Sequence, residues 1–209
     1  MKLEIIYNEL VEIIKNDMNL EKALKLKEKL EKVIREETCY KTTSKTRVNA
    51  IKRIASKLDY RPALTGYGIY NDYKCVTDGY HLVAIHEDNI PLKCVTTDEE
   101  LRDKLGHENC INGTYPNMKY IINFDKQYYN IITLDYDDIM QYYKLHKKNA
   151  EKEPYKINDN YYNITYLKNV IDVLGTDLII YEPKDNCRPM YLVNKDNEIG
   201  LVLGIKTIN

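Results

Sequence analysis

Residues able to do chemistry are few in this chain, and their spacing argues against most of it. Five cysteines, Cys39, Cys75, Cys94, Cys110 and Cys187, are odd in number, widely separated and without a C-x-x-C pair. Such spacing suits neither a disulfide framework nor a zinc centre, both of which need paired ligands. His81 and His86 lie five apart on an expected strand, so they point to opposite faces and cannot share a metal. Asp135, Asp137 and Asp138 form an acidic cluster, but they open an expected helix, where carboxylates favour the positive end of the dipole. Asp72, Asp78 and Asp88 fall in or beside turns, where Asp is common in any protein. Gly66-Tyr67-Gly68 lacks the third glycine and the helix of a phosphate-cradling loop. No catalytic residue, metal or cofactor is expected. Binding is the better class of function.

Composition supports a water-soluble globular chain. It has 209 residues, 44% of them hydrophobic and 30% charged, with a net charge of −1. No apolar run reaches the roughly 20 residues that span a bilayer, and the amino terminus lacks a secretory cleavage pattern. The expected setting is the cytoplasm, of a cell or of an infected cell. Twenty tyrosines accompany one phenylalanine and no tryptophan. Pairs such as Tyr128-Tyr129 and Tyr161-Tyr162 could stack on bases, but they are scattered, and a coding sequence rich in A and T explains them more simply. Residues 1–60 carry 14 basic and 10 acidic side chains, net +4, and the remainder is net −5. The stretch TCYKTTSKTRVNAIKRIASKL (38–58) holds six basic residues and no acidic one. That is the one candidate electrostatic footprint for a polyanion.

The elements that must position these residues follow from periodicity and breakers. Residues 2–15 and 20–37 read as amphipathic helices, forming a helical hairpin over 1–44. A third helix is expected over 46–58, with Val48, Ile51, Ile54, Ala55 and Leu58 on one arc and Lys52, Arg53 and Lys57 on the other. From Arg61 the pattern turns to strands, with hairpin turns at Asn71-Asp72 and Asp78-Gly79. A short helix follows Asp98 and ends near Gly106, and residues 107–120 read as a connection. A strand near 128–134 precedes a helix capped by Asp135. A further strand leads to a helix over 165–174 stopped by Gly175, then strands near 177–182, 189–194 and 199–206. The expected class is α+β, with residues 45–209 as one region or as two contracted subdomains, about 45–122 and 123–209.

Within that region several stretches resemble bacterial replicative sliding clamps. RPALTG (61–66), TDGYHLVA (77–84), GTYPNMKYII (113–122), YNITYLKNVIDVLG (162–175) and CRPMYLVNKDNEIGLVLGIKT (187–207) echo clamp motifs in the same order. The chain departs from them too. It is shorter than the two clamp domains it echoes, His81 stands where the family has an arginine, and the first clamp domain has no counterpart. What the resemblance implies is a clamp-like α+β fold of antiparallel sheets with packed helices. It also implies a groove for short linear peptides of a DNA polymerase or other replication or repair protein. By position that groove would be lined by Thr77, Gly79, Tyr80, His81, Leu82, Pro116, Val202, Leu203, Gly204, Ile205 and Lys206. It further implies a helix whose Lys45, Arg47, Lys52, Arg53 and Lys57 meet the backbone of duplex DNA without reading sequence. So few charges per chain require a homo-oligomeric ring. The rival reading is an interaction module of a phage or mobile element that binds a host protein and does not encircle DNA.

Overall fold

The computed structural model describes residues 44–55, 57, 60–87, 90–185 and 187–205. The chain divides into two units between residues 41 and 42, and the second is the one described here. The helical hairpin expected over 1–44 lies outside the described residues.

Helix α1, Ser44–Ile54, contains no glycine or proline, and its Ala50, Ile51 and Ile54 are fully buried at helical spacing. It ends at Ile54, earlier than the apolar spacing predicts. The chain must leave the helix to reach the 3-10 turn Pro62–Leu64, and the residue before a proline favours extended backbone. Three short strands follow: β1 Gly68–Tyr70, β2 Tyr73–Thr77 and β3 His81–Ile85. Next come β4 Cys94–Thr96, helix α2 Glu99–Leu105 and β5 Cys110–Asn112. Residues 107–120 are thus not a plain connection, because β5 pairs parallel with β4. A single helical turn, α3 Lys119–Ile122, precedes β6 Tyr129–Ile132 and helix α4 Tyr136–His146. The hairpin β7 Tyr155–Ile157 and β8 Asn160–Tyr162 leads to helix α5 Ile164–Leu174. Strands β9 Leu178–Pro183, β10 Met190–Asn194 and β11 Ile199–Val202 complete the unit.

Seven strands form one antiparallel sheet in the order β1-β2-β3-β11-β10-β9-β6, drawing on both halves of the chain. The architecture is α+β. The period-2 alternation of strands sends successive side chains to opposite faces. Val76, Val83, Ile85, Ile180, Met190, Leu192 and Val202 face one core, shared with α1, α4 and α5. Cys75, Leu82, Ala84, Tyr181, Tyr191, Ile199 and Leu201 face a second core closed by Met118, Ile122 and Phe124. Phe124 stacks on Tyr191 with ring centroids 3.9 Å apart and meets Tyr129 and Tyr181 edge-on.

Helix α5 is the pivot of the first core. Asn163 caps it by accepting from the Thr165 and Tyr166 amides, and Gly175 stops it at φ +86. It lies directly on β11 because residue 200 is glycine. A Cβ there would stand 2.2 Å from Val170 Cγ1 and 2.9 Å from Leu174 Cδ1. Since α1 packs on its outer side, the polar Asn169 and Asp172 of α5 are buried as well, at 5% and 1% exposure.

Candidate functional site

The tight turn between β2 and β3 is built from its own side chains. Asp78 Oδ1 accepts from the amides of Tyr80 (2.8 Å) and His81 (3.0 Å). Thr77 Oγ1 accepts from the Gly79 amide at 3.0 Å and donates to the His81 carbonyl at 2.7 Å. Gly79 sits at φ +96, where a side chain is strained. The Leu203 amide donates to the Tyr80 carbonyl at 3.0 Å, which ties the end of β11 to the turn.

His81 belongs to the wall behind this turn and not to its surface, being 1% exposed. Its Nδ1 lies 2.9 Å from Asp78 Oδ1, and its ring stacks on Tyr166 at 4.4 Å. Its Nε2 faces the Asn169 amide nitrogen at 3.4 Å, while Asn169 Oδ1 accepts from Arg53 Nε at 2.8 Å. These neighbours assign the Nδ1 proton to the Asp78 bond and leave the Nε2 lone pair for Asn169. Burial alone would raise the Asp78 carboxyl, but the hydrogen bonds it accepts from His81 and from the Tyr80 amide outweigh that and hold it below the usual carboxylate range.

In front of the turn lies a concavity of about 420 Å³, open to solvent. Its size falls in the range of about 300–1,000 Å³ found for sites that bury a ligand. Five separate stretches wall it. Leu64 comes from the 3-10 turn, and Thr77, Gly79, His81 and Leu82 from the hairpin. Pro116, Met118, Tyr120 and Ile121 come from the segment after β5, Pro189 and Tyr191 from the start of β10 and the residue before it, and Leu201 and Leu203 from the end of β11 and the residue after it. Most of its side-chain polar groups are spent internally: Thr77 and His81 as above, and the Tyr191 hydroxyl in donating to the Ile121 carbonyl at 2.7 Å, while Tyr120 stands exposed at its edge. What remains for a guest is mainly apolar.

Of the expected groove residues, the structure thus brings Thr77, Gly79, His81, Leu82, Pro116 and Leu203 to one concavity. Others are placed elsewhere. Val202 is fully buried in the first core, because β11 alternates and Leu201 and Leu203 take the groove side. Tyr80 is 53% exposed at the tip of the turn, stacked toward Tyr166. Gly204 and Ile205 run alongside β8, with Gly204 bridged to Tyr162 and the Ile205 amide bonded to the Tyr161 carbonyl at 2.7 Å. Lys206 lies outside the described residues. The sequence reading misses Leu64, Met118, Tyr120, Ile121, Pro189, Tyr191 and Leu201. Strand alternation is the signal for Leu201 and Leu203 together; the others follow only from tertiary packing.

The expected basic face divides in two. Lys45, Lys52 and Lys57 are exposed, and Arg53 keeps 42% of its side chain exposed while holding a buried partner. Arg47 instead donates to Glu198 at 2.6 and 3.2 Å and to the Val173 carbonyl at 2.7 Å. Glu198 is 5% exposed and also accepts from Asn194 Nδ2 (2.8 Å) and the His86 amide (3.1 Å). Burial alone would raise its carboxyl, but the hydrogen bonds and charge of Arg47 hold it below the ordinary value. Arg53 pairs with the buried Asp172 at 2.8 Å, which Lys168 reaches at 2.6 Å. Both arginines therefore pin α1 to the body of the protein.

The acidic cluster at 135–138 is a helix cap, Asp135 Oδ1 accepting from the Asp137 and Asp138 amides. Among the described residues no group of three or more His, Cys, Asp or Glu is placed to hold a metal ion. None of the helices among them is long and apolar enough to cross a membrane.

No protein-family model matches the sequence, and no curated protein matches it. Among solved structures the chain is similar to the crystal structure of a DNA polymerase sliding clamp from Bacillus subtilis, with 12% sequence identity and a TM-score of 0.46. The match covers 78% of this chain and 62% of that one, so this chain spans less than two thirds of that clamp's length. The groove's own geometry, not this likeness, supports a function.

Proposed function

We propose that this chain is a docking protein that does no chemistry of its own and holds a short, extended, apolar peptide of a partner protein in the concavity before the Asp78-Gly79 turn. The observation that carries this reading is the convergence of five separate stretches on one open groove whose wall is mainly apolar. Burying one leucine- or phenylalanine-sized side chain contributes about 1.5–3 kcal/mol, so two anchors supply about 3–6 kcal/mol of the roughly 8 kcal/mol that micromolar binding needs. Further contacts of the peptide along the groove must supply the rest and offset the ordering costs. With the clamp-like motifs of the sequence, the partner class is a DNA polymerase or another replication or repair protein, and the role is that of a replication accessory factor. Display selection with the full chain against random peptides tests it. Enriched sequences should carry apolar anchors and lose binding to a Leu203→Asp variant that keeps the wild-type circular dichroism. Failure to enrich any sequence, or equal binding to the variant, contradicts the reading.

A second reading keeps the docking and drops the DNA. It is favoured by Arg47 and Arg53, which are engaged by Glu198 and Asp172 and leave three lysines of the expected five cations on the face of α1 and just beyond it. Duplex DNA at low salt, with the solution mass measured with and without it, separates the two. A ring-forming clamp-like protein should oligomerise and retain DNA. A host-protein-binding module of phage or mobile-element type should do neither.

A further inference from the structure

Cys94 and Cys110 are far apart in sequence, yet β4 and β5 pair in parallel with Cys94 directly opposite Cys110. Neighbouring strands lie about 4.7–4.9 Å apart, inside the Cα separation of about 4.4–6.8 Å that a disulfide spans. In-register residues also project to the same face, so the two thiols share one environment. Both are free, with 1% and 9% exposure. Tyr67 extends the row, since it bridges to Cys94 from the other side and its amide and carbonyl bond with Lys93 and Val95. Burial, and then the nearby Cys94 and Cys110, push the Tyr67 hydroxyl up to about 12. Burial likewise raises the Cys94 thiol.

We infer that Cys94 and Cys110 are a redox-active pair, closed to an intrachain disulfide by a small-molecule disulfide oxidant such as oxidised glutathione. Cys110, the more exposed, reacts first. Its thiolate attacks one sulfur of the oxidant, giving a mixed disulfide and one glutathione thiolate. The Cys94 thiolate then displaces the second glutathione, forming the Cys94–Cys110 bond. The pair loses two electrons and two protons; the oxidant gains both, leaving as two thiols. The bond would join β5 to β4 at the strand that runs on to Pro116 in the groove wall. It does not depend on the groove being occupied.

The test is a redox titration of the full chain over a series of reduced-to-oxidised glutathione ratios, quenched with acid and read by peptide mapping under non-reducing conditions. A Cys94–Cys110 linked peptide two hydrogens lighter than its parts is expected, absent in Cys110→Ser. The fold should favour the bond, so the ratio at half-closure should be at least about tenfold more reducing in the native chain than in urea. Melting of the oxidised chain should shift upward. The inference is overturned if the two cysteines remain thiols or form only separate glutathione adducts. It is equally overturned if Cys110 links to a different cysteine, or if the folded chain closes the pair no more readily than the unfolded one.

Discussion

Replacing Arg47 by alanine should cost more than any substitution of an exposed lysine on α1, because its loss strands a buried carboxylate. Glu198 is 7% exposed at its side chain and Arg47 21%. Removing one partner of a buried pair costs about 3–5 kcal/mol. Glu198 keeps its bonds from Asn194 and His86, and water can enter where the arginine stood, so about 2–3 kcal/mol is expected. With a urea m-value of about 2 kcal/mol/M, the midpoint should fall by about 1 M at pH 7. The pH dependence fixes the cause. A carboxylate held below its unfolded value contributes stability that is fully present above that value, about 4.3 for Glu, and is lost as pH falls through the folded value. The gap between wild type and Arg47→Ala should therefore be widest at neutral pH and narrow below about pH 4. Urea unfolding followed by circular dichroism at pH 7 and at steps down to about pH 3 measures both effects. Lys52→Ala is the control, expected within about 0.5 kcal/mol of wild type. If Arg47→Ala behaves like Lys52→Ala at neutral pH, the arginine is not structural and the case for a free cationic face on α1 revives.

Three further outcomes follow from the same geometry. Gly200→Ala should destabilise by about 1–3 kcal/mol in thermal unfolding, since its Cβ would meet Val170 Cγ1 at 2.2 Å; a neutral effect would mean α5 rests less closely on β11. Asp78→Ala should cost about 1–3 kcal/mol by releasing the Tyr80 and His81 amides, and Asp78→Asn should flatten part of the acid limb of wild-type stability, because the Asp78 contribution is present above the ordinary carboxylate value and lost as pH falls. If duplex DNA is bound at all, changing Lys45, Lys52 and Lys57 together to glutamate should lower affinity at least tenfold and reduce the salt slope by about 3, as anisotropy against salt would show.

Much of the fold is legible where local chemistry is decisive. Asp135 reads as a cap and is one, the helix expected after Asp98 begins there, and Gly106 and Gly175 end their helices at positive φ. The Asp78-Gly79 hairpin reads directly because its turn is closed by its own side chains. Non-local pairing is not legible. The three-residue strands at Cys94 and Cys110 have too little alternation to show a period, and parallel pairing leaves no turn signal between them. The roles of Arg47 and Arg53 are hidden for the same reason. On the helix alone they belong to a solvated basic face, and their carboxylate partners are 151 and 119 residues away. Asn169 and Asp172 are likewise polar residues of α5 that only the packing of α1 buries. In the groove, hairpin residues are visible from the turn and clamp-like motif, whereas Leu64, Met118 and Pro189 meet it only through folding.

The central claim is that the open apolar concavity is where a partner's peptide sits. Methyl resonances report on it most directly. Titrating the full chain with a selected apolar peptide should shift the methyl signals of Leu64, Leu82, Ile121, Leu201 and Leu203 together and saturably, while those of Val83, Val170 and Leu192 in the opposite core stay in place. Saturable shifts confined to other surfaces, with the groove methyls unmoved, would contradict it.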